Sequence, residues 1–265
     1  MTPPPRAQPV VLNLDPRGVA SLDFNRPQVG NAYDEAMIAG LIGALDELSR
    51  QQQARVLLLR GVGKHFQAGA DLAWTRAVSA RSGAENLRAS AATAAAVDRL
   101  NRLPIASLAL VQGACFGGGT GIIAACDVVL AADNAVFSIA EVRWGLMAAI
   151  ILPQLSAAVG VRALRRYALT GERFDAEEAR RIGLVHAVVP LADLTAAGER
   201  MIAQLLGSAP LASADTKALL VAGAQEGFAG RSDALIASHA RQRQSPEARE
   251  GLAAFAEKRA ARWRR

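Results

Sequence analysis

A mixed α/β fold with a helical C-terminal part is what this sequence predicts. Short, continuous apolar runs, the mark of strands covered on both faces, alternate with amphipathic helical stretches. Two strands followed by a helix recur, at 8–50 and more loosely at 105–124 with 127–160. From about residue 150 onward the pattern is mostly helical.

The elements follow in order. "PVVLNLDPRGVASLDF" reads as a hairpin, because Asp15-Pro16-Arg17-Gly18 puts proline at the second turn position and glycine at the fourth. Met37, Ile38, Leu41, Leu45 and Leu48 share one helical face over 34–50, with Asp34 and Glu35 in the first turn. "RVLLLRG" is a short strand buried on both faces, and a glycine-rich loop, "GVGKHFQAGAD", follows it. An alanine-rich helix over roughly 84–102 ends at Pro104, and "PIASLALVQG" is the next strand. A glycine cluster, "ACFGGGTG", opens another helix, and "DVVLAA" and "AVFSI" are two more strands. One strand, "LVHAVV" at 184–189, interrupts the helical remainder, and Ser245-Pro246 caps the last helix.

Composition narrows the function classes. The chain has 265 residues, 51% of them hydrophobic, enough for a sizeable core. No apolar run approaches the roughly 20 residues of a membrane span, which argues against a membrane partner. "MTPPPRAQP" reads as a disordered tail without the apolar stretch of a signal peptide. Cys115 and Cys126 have neither a metal-ligand nor a disulfide spacing, so a reducing, cytoplasmic setting and no metal are expected. The net charge is +6, yet aromatics are only 5% and the arginines are spread along the chain, which argues against a nucleic-acid face.

Two glycine loops carry the chemistry. "FQAGAD" and "GACFGGGTG" each follow a buried strand and lead into a helix. Helix starts have unpaired N–H groups, and glycine lets a ligand approach the backbone. Two such ends facing one point would supply two donors to one oxygen, an oxyanion hole; tight turns and close packing are the plainer alternative. Neither loop is a nucleotide-phosphate loop or a dinucleotide fingerprint. Glu141, among Ile139, Ala140, Val142 and Leu146, would have a raised pKa if buried, which suits proton transfer. His65, His186 and His239 form no ligand or catalytic pattern, and Ser107 and Ser138 have no nucleophile context.

The ordered segments "FNRPQVGNA", "HFQAGADL", "GACFGGGTGIIAACDVVLAA", "FSIAEVRWGL", "LTGERFDAEEARRIGLVHAVVP" and "FAEKRAARW" resemble the crotonase (enoyl-CoA hydratase/isomerase) superfamily over about residues 9–263. The resemblance implies a spiral of ββα units with a helical C-terminal region that builds trimers or hexamers. It implies an acyl-CoA thioester substrate, with coenzyme A as part of the substrate and no further cofactor. Its oxyanion donors would be the N–H groups of Ala70 and Gly118, with Gly117 beside them. Ala68, Asp71 and Leu72 would line the pantetheine channel, and the segment from Gln28 to Ala32 would lie near the nucleotide end. Phe255 and Lys258 would reach a neighbouring subunit's coenzyme A. Glu141 matches the second of the two glutamates of typical hydratases.

The first glutamate is missing, and Gly121 stands in its place. Glycine there is expected to leave a void beside the reacting carbon, open to a branch or a water. The "GGGxG…EVR" combination also resembles hydratases of branched glutaconyl-CoA substrates, and Arg143 would then face a distal carboxylate. The resulting expectation is a hydratase of a 2-enoyl-CoA, branched or straight. A 3,2-enoyl-CoA isomerase using Glu141 alone is the runner-up. A non-catalytic acyl-CoA- or RNA-binding protein is the alternative from another class. The domain plan is a tail over 1–8, a core with the acyl-CoA site over 9–200 and a helical oligomerisation region over 201–265.

Overall fold

The computed structural model describes residues 8–226 and 232–264. Apart from its last residue, the tail expected over 1–8 lies outside them.

Strands β1 (Val10–Leu14) and β2 (Val19–Phe24) form the expected hairpin, with Leu12 opposite Leu22. Gly18 closes the turn, donating its N–H to the Asp15 carbonyl at 3.0 Å. Its φ is +86°, and a Cβ there would sit 2.4 Å from the Gln53 carbonyl, so only glycine fits. Helix α1 (Glu35–Leu48) starts on Asp34, which acts as the N-cap rather than as a first-turn residue and accepts from the Met37 N–H. The predicted face of Met37, Ile38, Leu41, Leu45 and Leu48 is the buried one.

Next come β3 (Val56–Gly61), α2 (Leu72–Ser79) and α3 (Gly83–Asn101), the last opened by a Ser82/Glu85 capping box. Strand β4 (Ala106–Val111) and the three-residue β5 (Ala114–Phe116) lead into α4 (Gly118–Ala124). Strands β6 (Val128–Ala132) and β7 (Val136–Ser138) are followed by two 3-10 turns, Glu141–Trp144 and Ala149–Ile151. Helix α5 (Leu152–Thr170) is broken at Gly160, where φ is +71°. The chain then runs through β8 (Arg173–Asp175), α6 (Ala176–Arg181), β9 (Ala187–Val189) and α7 (Leu194–Leu206). Helices α8 (Pro210–Glu226), α9 (Ser232–Arg243) and α10 (Pro246–Ala256) complete it, with Ser245 capping α10 as expected.

Two sheets organise these elements. The larger runs β1-β2-β3-β4-β6-β9 and is parallel after its first pair. The smaller runs β5-β7-β8. Isolated bridges pair Gln67 with Cys115 and Tyr33 with Ala70. Successive ββα turns thus stack their second strand or loop along one line, which is the spiral the resemblance implies. Strand β3 is buried on both faces: Leu57 and Leu59 pack with Leu41, Leu45 and Leu100, while Val56 and Leu58 pack with Leu194 and Ile202. The boundary drawn at 200–201 falls inside α7, whose Leu194, Ala197 and Ile202 cover one sheet face. Lys217 of α8 reaches Asp127 at 2.7 Å and the Ile105 carbonyl at 3.1 Å, tying the C-terminal helices to the strand ends.

Strands β5 and β8 and helix α2 are absent from the sequence-based reading, and the strand expected at 184–189 shrinks to Ala187–Val189.

Candidate active site

The two glycine loops lie side by side because Gln67 stitches them. Its N–H donates to the Ala114 carbonyl at 3.1 Å, and its carbonyl accepts from Phe116 at 2.9 Å. Its side-chain Oε1 accepts from the Gly69 N–H at 2.9 Å. In the first loop the Tyr33 N–H donates to the Gly69 carbonyl at 2.9 Å. Carbonyl and N–H point opposite ways in a trans peptide, so the Ala70 N–H is turned away from the Tyr33 backbone. In the second loop Gly117 donates to the Ser138 carbonyl at 2.8 Å, and Gly118 begins α4. Among the described residues neither the Ala70 nor the Gly118 N–H has an acceptor. Both residues line one cavity of about 690 Å³.

Each of the three consecutive glycines is needed for a different neighbour. A Cβ on Gly117 would lie 2.9 Å from Glu141 Oε1. On Gly118 it would lie 2.5 Å from the Tyr33 ring, and on Gly119 2.7 Å from Gln67 Oε1. The run therefore admits a carboxylate, a phenol ring and an amide to van der Waals contact with the loop.

Glu141 opens the 3-10 turn after β7 and, among the described residues, is the only acidic one lining the cavity. Its Oε2 is buried with no hydrogen-bond partner among the described residues. Burial pushes its carboxyl above the ordinary glutamate value. Tyr33 also faces the cavity, and its hydroxyl is pushed up to about 12, by burial first and then by the Glu141 charge. A base with a raised pKa beside two free donors is an arrangement that moves a proton while charge builds on a nearby oxygen.

Of the other sequence-predicted residues, Ala68, Leu72, Gly117 and Arg143 line the same cavity. Arg143 Nε donates to the Thr170 carbonyl at 3.2 Å. Asp71 does not face the cavity. It caps α2 through the Ala73 and Trp74 N–H groups and pairs with Arg26 at 3.1 Å. Gln28 is exposed on a 3-10 turn, and Ala32 is buried with its carbonyl accepting from Arg26. Phe255 is 85% exposed on α10, and Lys258 lies just past it at φ +53°; neither reaches this chain's cavity.

The void expected beside Gly121 is not there. A Cβ on Gly121 would lie 2.0 Å from Ile151 Cγ2, so the isoleucine already fills that space, and Gly121 itself does not line the cavity. Gly121 is the seat for Ile151, whose side chain forms part of the cavity wall.

Among the cavity residues that escape the sequence-based reading are Tyr33, Trp74, Ile151 and Arg173. Trp74 packs edge-on to Tyr33, and Arg173 lies over the Phe116 ring at 5.3 Å. A tryptophan directly after the first glycine loop is a local signal for one of them. The others arrive through non-local pairing. His65 and His186 act as structural acceptors, taking the Ala114 and Val129 N–H groups. Among the described residues no three His, Cys, Asp or Glu side chains could hold a metal ion, and no helix is long and apolar enough to cross a membrane.

A sequence profile described as enoyl-CoA hydratase/isomerase matches residues 15–265. The chain is 34% identical over 245 residues to a protein of Thermus thermophilus named "Putative enoyl-CoA hydratase", covering 91% of this chain and 95% of that protein. It is 31% identical over 212 residues to a mitochondrial Delta(3,5)-Delta(2,4)-dienoyl-CoA isomerase of Dictyostelium discoideum, covering 76% and 72%. Among solved structures, an enoyl-CoA hydratase from Shewanella pealeana superposes with a TM-score of 0.89 at 37% identity, over 97% of each chain.

Proposed function

The chain belongs to the enoyl-CoA hydratase/isomerase family, and from that premise we propose that it adds water across the double bond of a 2-enoyl-CoA. The observation that carries this reading is the buried, unpartnered Glu141 oxygen in the same cavity as two N–H groups without acceptors. Glu141 takes a proton from water as the oxygen bonds to C3. The C2–C3 π electrons move toward the thioester, and its oxygen takes the negative charge. The Ala70 and Gly118 amides hold that oxygen; losing one such donor costs roughly 10²–10³ in rate. The enolate then collapses, taking at C2 the proton that Glu141 holds, which returns the glutamate to its carboxylate. Ala68 and Leu72 line the approach for the pantetheine arm, with Asp71 holding the start of α2 beside them. The segment from Gln28 to Ala32 serves the nucleotide end, and Phe255 and Lys258 serve a neighbouring subunit.

Isomerisation of a 3-enoyl-CoA is the second reading, and Ile151 favours it. With the space beside Gly121 filled by a hydrocarbon, one acid moves the proton from C2 to C4 and no water is needed. Turnover in ¹⁸O-water separates the two. Mass-labelled hydroxyacyl-CoA is expected for hydration. A shifted double bond without label would make the isomerase reading correct. No change in either ester would remove both.

A further inference from the structure

We infer that Thr120 is a positioning residue for the Gly118 amide, acting through the carbonyl of Gly117. The inference rests on the reading of that amide as an oxyanion donor. Thr120 is fully buried, and its hydroxyl donates to the Gly117 oxygen at 2.6 Å. The same oxygen accepts from the Thr120 N–H at 2.9 Å, so both of its lone pairs are engaged by one residue. The Gly117 carbonyl and the Gly118 N–H belong to one peptide plane and point in opposite directions. Pulling the carbonyl into the first turn of α4 therefore drives the N–H out toward the cavity. Two donors on the carbonyl also withdraw electron density from the amide nitrogen and strengthen its N–H as a donor.

The backbone at this point needs such a hold. Gly117 sits at φ +49° and ψ −118°, and ψ is the rotation that sets the direction of the following peptide. Its own N–H is fixed on the Ser138 carbonyl, which anchors one side of the residue only. Helix propensity gives no reason for a threonine: a β-branched side chain is a poorer helix former than alanine, and a hydroxyl bonded back to a carbonyl tends to bend a helix. The Ala70 donor is built differently. Its carbonyl partner is held by the Tyr33 main-chain N–H. Of the two donors, the one at Gly118 is thus the one whose carbonyl a side-chain hydroxyl holds.

The test compares wild type with Thr120→Val, Thr120→Cys and Thr120→Ser, a series in which shape is nearly kept and the hydroxyl is lost, weakened or retained. Each is bound to butanoyl-CoA carrying ¹³C at the thioester carbonyl, and the infrared stretch is compared with that of the free ester. In wild type the stretch moves to lower frequency on binding. In Thr120→Val that displacement shrinks and kcat falls about three- to tenfold with KM within about twofold, a fraction of the effect of deleting a donor outright. Thr120→Cys falls between, and Thr120→Ser returns to the wild-type frequency and rate. A wild-type displacement that survives unchanged in the valine and cysteine variants overturns the role of Thr120. So does a serine variant as impaired as valine. If the valine variant fails to fold, the cysteine and serine variants still give the ordering. A wild-type stretch that does not move on binding overturns the oxyanion reading itself, whatever the variants do.

Discussion

Burial away from water favours a carboxyl's proton, and the Glu141 Oε2 is buried with no hydrogen-bond partner among the described residues. Its folded-state pKa lies above 4.5, the ordinary value. Between those two values the folded protein holds more protons than the unfolded chain, so stability falls as pH rises through the window. The contribution is fully present below the ordinary value and lost above the raised one. Glu141→Gln should therefore lower kcat by about 10²–10⁴-fold. It should also melt at a higher temperature than wild type at pH 8, with the gain absent at pH 4. Paired melting curves at the two pH values check the sign; a lower melting temperature at pH 8 would mean that the carboxylate has a stabilising partner. Glu141 was legible as an acid among apolar neighbours. Tyr33 was not, because it meets Gly118 and Ala70 only through a bridge between distant segments.

Between helix α4 and the 3-10 turn Ala149–Ile151 the fit is of a different kind. Gly121 admits Ile151 so closely that a single added carbon collides with it. Gly121→Ala gains about 1 kcal/mol of helix propensity and loses about 1–3 kcal/mol to overpacking. A net fall in melting temperature is expected, and adding Ile151→Ala should recover part of it. The double-mutant cycle reads that coupling directly; additive effects would mean that the two residues do not share the space. Elements of this length show why sequence reading succeeded in places and stopped in others. Helix α1 and strand β3 carry enough apolar positions to declare their period. Strands β5 and β8 have three residues each and exist because a neighbouring edge is there to receive them. Gly121 was legible as unusual, but its neighbour Ile151, far along the chain, was not.

Across the whole molecule the C-terminal helices stand apart from the cavity, held to the strand ends by Lys217 and Asp127. Phe255 points into solvent in the single chain. In the proposed assembly it meets a neighbour's coenzyme A, so Phe255→Ala should raise KM for the thioester several-fold with kcat nearly kept. Sedimentation velocity should show a trimer or hexamer, and activity per site should drop on dilution below the dissociation range. A monomer with full activity at nanomolar concentration would overturn that role. An oligomerising surface is expected only through the resemblance; the sequence of α9 and α10 does not by itself separate an interface from a loosely packed helix.

Both donors of the proposed oxyanion site are main-chain atoms, so neither depends on the side chain carried at 141, 143 or 151. A lineage descending from this protein could exchange Glu141, Ile151 or Arg143 one codon at a time without first surrendering its hold on the thioester oxygen. Every intermediate along such a path would keep half of a catalyst. Selection can act on a fragment of that kind, and new reactions become reachable by single substitutions rather than by coordinated change.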